Sequence, residues 1–375
     1  MIQAQLLAQG VALGAVAVSV GYMVWMRGKA AAEPANHCET RNPQLGEYEG
    51  FRPVRHDLLE LQDAATVFVA GKVDMENVVF FCAGFPCDHS SFIPLAAYLA
   101  NECGCLVGVS CLPEFDRVGP PLRPEGYDMD ETTTCFGQGV DALLAQATAA
   151  TPKLTLIVHD FGIVPGFMYS NSVGCDKLVV FDVLPGNPLK DAPDRMYYAL
   201  VQTNYQAMFA TSFLLSRLCP PLGWAWLTVG NILIFGVFGR WLNCIGALDF
   251  CRSGVFCRFG LLPWHTPDKQ YAGSVIPTPF HCNPYWHTLK TIGSPKANAA
   301  LLKKMSFDES LKRQPICFIY GMDKNTQFHT EVQLTKLRVT PGCCVHAVPE
   351  AGHWCYKHAP TVCFAAARNF ILTEM

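Results

Sequence analysis

The stretch Leu154-Thr-Leu-Ile-Val-His159-Asp160-Phe161-Gly162 decides how this chain is read. Its opening apolar, β-branched run is too short for a helix and reads as a strand buried on both faces. Asp160 and Gly162 then mark a sharp turn into a helix. An acidic side chain at the tip of such a turn stands clear of strand and helix alike, where a fold can present a nucleophile. Further along, Phe318-Ile-Tyr-Gly321-Met-Asp323 places a second carboxylate after another buried strand. Ala351-Gly352-His353-Trp354 places a histidine after the last one. Upstream, Gly84-Phe85-Pro86 follows the strand Val78-Val-Phe-Phe-Cys82. Alone, His353 is a loop histidine and Asp323 a turn residue. In the order nucleophile, acid, histidine, they read as one site.

Around these motifs, short β-branched runs alternate with helical patterns. Strands are expected at residues 58–61 and 65–70, then at 78–82, 106–110, 154–159, 178–182, 316–320 and 344–348. Helices are expected at 92–101, 132–147 and 361–372. Strands alternating with helices make an α/β fold with a parallel, doubly wound sheet. Residues 185–305 break the rhythm, being helical, aromatic-rich and interrupted by Pro and Gly. They read as an inserted helical cap between a first core segment (33–184) and a second (306–375). Residues 33–55, with three prolines, read as a linker.

Half of the 375 residues are hydrophobic, 16% are charged, and the net charge is −3. That balance excludes a disordered chain and a non-specific nucleic-acid binder, which needs a basic excess. The eighteen cysteines include no C-x-x-C pair and many lie in apolar runs. They read as buried free thiols rather than a zinc ribbon or a disulfide framework.

The first 26 residues carry no charged side chain, and residues 6–25 are long enough to cross ~30 Å of hydrocarbon. Arg27 and Lys29 follow at once, so residues 1–32 read as a single N-terminal membrane anchor with the rest of the chain cytosolic. The default compartment is the endoplasmic reticulum. A cleaved signal peptide is the rival reading, disfavoured by the missing positive n-region. Residues 218–239 are a second uncharged run, read as a buried helix pair of the lid or as a segment dipping into a bilayer.

From residue 57 to 372 the pattern resembles the epoxide hydrolase and haloalkane dehalogenase branch of the α/β-hydrolases. His159-Asp160-Phe161-Gly162 is similar to that branch's H-D-W-G elbow, and Ala83-Gly84-Phe85-Pro86 to its H-G-F-P loop. Tyr205-Gln206 and Asn283-Pro284-Tyr285-Trp286 resemble the two cap segments that carry tyrosines in epoxide hydrolases. The resemblance implies an α/β-hydrolase fold in which Asp160 opens a lipophilic epoxide and forms an alkyl ester. Tyr205 and Tyr285 would donate to the epoxide oxygen. His353, oriented by Asp323, would activate water, and the N–H groups of Phe85 and Phe161 would form the oxyanion hole. No metal or organic cofactor is implied. Another hydrolase activity (dehalogenation or lipid-ester cleavage) and a catalytically weakened interaction protein remain as alternatives. Three positions depart from the pattern. Ala83 replaces the loop histidine, Ile163 replaces a glycine, and Val158 replaces the glycine that lets the helix approach the elbow. Val158 is therefore expected to push the helix away or alter the turn.

Overall fold

The β-branched and aromatic runs pair into one eight-stranded sheet. The computed structural model describes residues 50–59, 64–85, 87–117, 121–186, 195–231, 278–323 and 327–374. The strands are β1 (Arg52–Asp57), β2 (Ala64–Ala70), β3 (Asn77–Ala83), β4 (Leu106–Cys111), β5 (Lys153–His159), β6 (Lys177–Phe181), β7 (Ile316–Gly321) and β8 (Cys344–Val348). Their spatial order is β1-β2-β4-β3-β5-β6-β7-β8. β2 is antiparallel to β1 and β4, and every other pairing is parallel.

The central strands are buried on both faces. Phe80, Val158 and Phe318 point into one apolar layer, and Phe81, Ile157 and Ile319 into the other. This is why their sequences read as continuous apolar runs rather than as alternation. Helices cover both faces, among them α1 (Ile93–Cys103), α2 (Met129–Leu144) and α3 (Ile163–Ser172). α2 starts three residues before the periodicity predicts because Asp128 and Glu131 form a reciprocal capping box there.

The first strand is not at residues 58–61. It is Arg52–Asp57, overlapping the end of the expected linker. As an edge strand it is largely exposed, so it carries charges and tolerates Pro53, and it lacks the apolar signal of its neighbours. Leu59 instead turns the chain, with φ at 54°.

Between β6 and β7 the described chain is helical: α4 (Arg195–Leu218), α5 (Pro220–Asn231), α6 (Asn283–Ile292), α7 (Pro295–Lys304) and α8 (Phe307–Arg313). Pro220 and Pro221 begin α5 rather than break it, since the first helical turn needs no N–H there. The apolar run at residues 6–25 lies outside the described residues, as does the end of the run at 218–239. No described helix is long and apolar enough to cross a membrane. Fourteen cysteines lie in the described residues, none in a disulfide and eight of them buried. They pack as small apolar side chains.

The helix after the elbow meets Val158 at Gly166, which offers no side chain there. A Cβ on Gly166 would stand 2.6 Å from Val158 Cγ1. The bulk missing on the helix is present on the strand. Gly166→Ala should therefore destabilise the fold by about 1–3 kcal/mol through overpacking. The usual preference of a helix for Ala over Gly runs the other way by about 0.5–1 kcal/mol. Adding Val158→Ala should recover most of the loss. Urea unfolding of the two single variants and the double variant measures this coupling, and a stabilised Gly166→Ala single variant would refute it.

Candidate active site

Asp160 leaves the end of β5 with φ at 51°, a left-handed conformation that a non-glycine residue holds only when its surroundings enforce it. The enforcement comes from two close backbone approaches. A Cβ at Gly84 would lie 2.4 Å from the Phe161 nitrogen, and one at Gly162 would lie 2.4 Å from the Cys82 carbonyl oxygen. Both glycines exist so that β3, its following loop and the elbow can touch. Asp160 through Gly162 forms one 3₁₀ turn, and α3 continues from it.

The elbow brings Asp160 to both expected amides. The Phe85 N–H donates to Asp160 Oδ1 at 3.0 Å, and the Phe161 N–H also bonds the carboxylate. Asp160 Oδ2 faces His353 Nε2 at 3.1 Å. Burial alone would raise the Asp160 pKa. The His353 hydrogen bond and charge, with smaller help from His159 and Phe161, outweigh it and hold the carboxyl below its usual range.

The acid behind the histidine is Asp182, not Asp323. His353 Nδ1 lies 2.5 Å from Asp182 Oδ2, and Asp182 is fully buried at the end of β6. Its other oxygen accepts from the Gly321 N–H at 3.1 Å. Asp323 is exposed, and its backbone N–H donates to the Ala351 carbonyl at 2.9 Å. It thus braces the loop that carries His353 without giving it a carboxylate. Both acids follow parallel strands beside that loop, which is why sequence order alone selected the wrong one. The missed signal was that Asp182 follows Leu178-Val-Val-Phe181 just as Asp160 follows its own buried run.

Burial would depress the His353 pKa, but hydrogen bonds to Asp160 and Asp182 carry it up to about 9. The resting histidine is therefore an imidazolium held by two carboxylates. Behind it, His159 is fully buried and its Nε2–H donates to the His353 carbonyl at 3.1 Å. Burial, reinforced by the neighbouring His353 charge, pushes the His159 pKa down to about 3, so this second imidazole stays neutral.

Both expected tyrosines reach the same place. Tyr205 comes from α4 and Tyr285 from the first turn of α6. Their rings meet edge-on at 6.0 Å, and Tyr285 packs against Phe161 at 4.8 Å and Phe85 at 5.0 Å. Burial first, then the Asp160 charge, raises both phenol pKa values, so both hydroxyls keep their protons as donors.

Three kinds of comparison bear on this geometry. No family model and no curated protein matches the chain. Its structure is similar to many solved structures. The Cif epoxide hydrolase from Acinetobacter nosocomialis matches at 14% identity over 88% of this chain and 94% of its own, with a TM-score of 0.53. The haloalkane dehalogenase DatA from Agrobacterium tumefaciens C58 matches at 14% identity over 86% and 97%, with a TM-score of 0.52. A loop variant of the haloalkane dehalogenase DbeA from Bradyrhizobium elkanii matches at 14% identity over 86% and 96%, with a TM-score of 0.50.

The chain has the α/β-hydrolase fold. Within the α/β-hydrolases its structural neighbours include epoxide hydrolases and haloalkane dehalogenases, all at low sequence identity. Phe85, Asp160, Phe161, Tyr205, Tyr285 and His353 converge at one site of this hydrolase fold, and Asp323 does not join them.

The raised His353 pKa ties stability to pH. Its contribution is fully present below about 6.5, the ordinary histidine value, and is lost as pH rises through about 9. The wild-type urea midpoint should therefore fall more steeply over that window than that of His353→Gln. Parallel profiles would show that the imidazolium is not shared. In turnover, Asp182→Asn should lower kcat by about 10³- to 10⁴-fold, as removing the acid behind a catalytic histidine does elsewhere. Asp323→Asn should retain nearly full kcat, and the reverse ranking would restore Asp323 to the site.

Proposed function

We propose that this protein hydrolyses lipophilic epoxides through a covalent ester on Asp160. The observation that carries the reading is a carboxylate at the elbow with two protonated tyrosines of the helical segment close enough to feel its charge. A carboxylate attacking an acyl carbon would give an anhydride. Attack on an alkyl carbon gives an ester that water can cleave.

Asp160 Oδ1 is held by the Phe85 amide, and Oδ2, which has a lone pair left beside its bond to His353 Nε2, attacks an epoxide carbon. The carbon–oxygen bond of the ring breaks, and Tyr205 or Tyr285 gives the developing alkoxide a proton. Esterification removes the Asp160 charge, one of the two that hold a proton on His353. The imidazole pKa then falls toward its ordinary range. The proton that His353 sheds passes through solvent to the tyrosinate left by the first step. His353, now neutral and still oriented by Asp182, becomes a base. It takes a proton from water as that water attacks the Asp160 ester carbon. The Phe85 and Phe161 amides stabilise the oxyanion, and collapse releases the diol.

Epoxide opening needs a proton donor at the leaving oxygen, whereas halide departure does not. Phe85 and Phe161 have no side-chain donor, and the Trp354 indole N–H donates to Cys87 Sγ at 3.2 Å. The tyrosines therefore favour the epoxide over the alkyl halide. The aromatic walls made by Phe85, Phe161 and Phe209 favour an apolar substrate. In this reading residues 185–305 form the cap over a core made of 33–184 and 306–375. Residues 1–32 anchor the enzyme in the membrane, with the endoplasmic reticulum the default and the substrate arriving from the bilayer.

Intact mass tests the chemistry. His353→Gln, exposed as the full-length chain to a panel of aryl and fatty-acid epoxides, should gain the mass of one substrate and keep it. The gain should vanish when Asp160→Asn is added. No adduct across the epoxide panel, with an adduct on alkyl halides, would move the reading to dehalogenation. No adduct on either would end the case for an Asp160 alkyl ester.

A further inference from the structure

The loops after β3 and β4 bring together three metal-ligating side chains that the hydrolase site does not use. β3 and β4 are parallel neighbours with Ala83 opposite Cys111, so their loops leave the sheet side by side. His89 opens the 3₁₀ turn His89–Phe92 in the first loop. Cys111 ends β4, and Asp116 lies five residues on. One donor atom from each of His89, Cys111 and Asp116 lies within 4.8 Å of the other two.

His89 is the informative member. It is only 5% exposed, and neither ring nitrogen has a hydrogen-bond partner. Its Nδ1 stands 3.8 Å from Asp116 Oδ2, too far for a hydrogen bond. Phe68 packs against the ring at 4.2 Å between centroids and fixes its plane. Buried imidazole nitrogens are rarely left unpaired, because a folded protein recovers their lost hydration through some partner. Tetrahedral zinc with ~2.1 Å bonds to nitrogen and oxygen sets those ligands roughly 3.4 Å apart, a few tenths of an ångström less than the pair observed.

We propose that His89, Cys111 and Asp116 bind one divalent, thiophilic metal ion, with zinc the fitting size and softness. Cys111 and Asp116 are half-buried and also line a narrow cleft, which gives the ion an entry and leaves its fourth position to water. The role is structural. The ion ties the loop after β4 to the loop that carries the Phe85 amide, four residues before His89.

A second trio, Cys317, Cys344 and His346, has similar spacing. There Cys344 already bonds both of its neighbours, so nothing is left unpaired, and this trio serves as the internal control.

The test is cobalt(II) titration of the full-length protein after chelation. One equivalent should give the visible bands of tetrahedral cobalt and a thiolate charge-transfer band, and zinc should abolish both. Cys111→Ser should lose the charge-transfer band, and Cys344→Ser should keep it. His89→Gln and Asp116→Asn, checked for folding by circular dichroism, should weaken binding by more than about 100-fold, since losing even an outer partner costs about 10- to 100-fold. Absence of bands in the wild type, or a charge-transfer band that survives Cys111→Ser or disappears in Cys344→Ser, would overturn the proposal.

Discussion

One imidazole held between two carboxylates governs the arrangement of the catalytic end of this fold. His353 takes Asp182 on one nitrogen and the partly buried Asp160 on the other, and the fully buried Asp182 would be costly without it. The strands β5 for Asp160 and β6 for Asp182 must therefore end at the same height, while β8 runs two residues further to the loop of His353. The register supplies this. His159 pairs with Phe181, Phe181 with Ile319, and Ile319 with His346. The neutral His159 beneath completes the support, since a second cation there would compete for the same two charges.

The elbow itself depends on missing atoms as much as on present ones. Gly84 and Gly162 remove the two Cβ atoms that would push β3 and its loop away from Asp160. Without that approach the Phe85 amide would not reach the carboxylate. The valine at position 158 looks like damage to the same device, yet Gly166 absorbs it across the strand–helix contact. The bulk of Val158 is thus accommodated by the bare backbone of Gly166 on the facing helix.

The central strands and the elbow were legible in the sequence because full burial writes itself as unbroken apolar runs. β8 falls at residues 344–348 as expected, and β5 differs by one residue. The edge strand was not legible. Arg52–Asp57 owes its strand conformation to pairing with β2, a tertiary cause that leaves only Val54 as an apolar mark. The triad acid was misassigned for a related reason. Sequence order places carboxylates after strands but cannot say which strand end faces the histidine. That is a matter of which oxygen enters a buried pocket, and Asp182 does while Asp323 remains in solvent.

The proposed carboxylate nucleophile imposes one more requirement, which the helices between β6 and β7 would answer. Bringing Asp160 out of water sharpens its reactivity, but the same low dielectric makes a developing alkoxide costly unless a proton lies beside it. Tyr205 and Tyr285 are buried in the field of Asp160, and burial first, then that field, raises the pKa of their hydroxyls. In the proposed reaction the charge that performs the attack also helps to preserve the donors that answer it. Once Asp160 is esterified, the field collapses for the tyrosines and for His353 together. The phenols become easier to deprotonate just as they give up a proton, and the imidazole becomes a base just as water must be activated. In the proposed reaction a single change of charge on one carboxylate thus switches both halves in the required order.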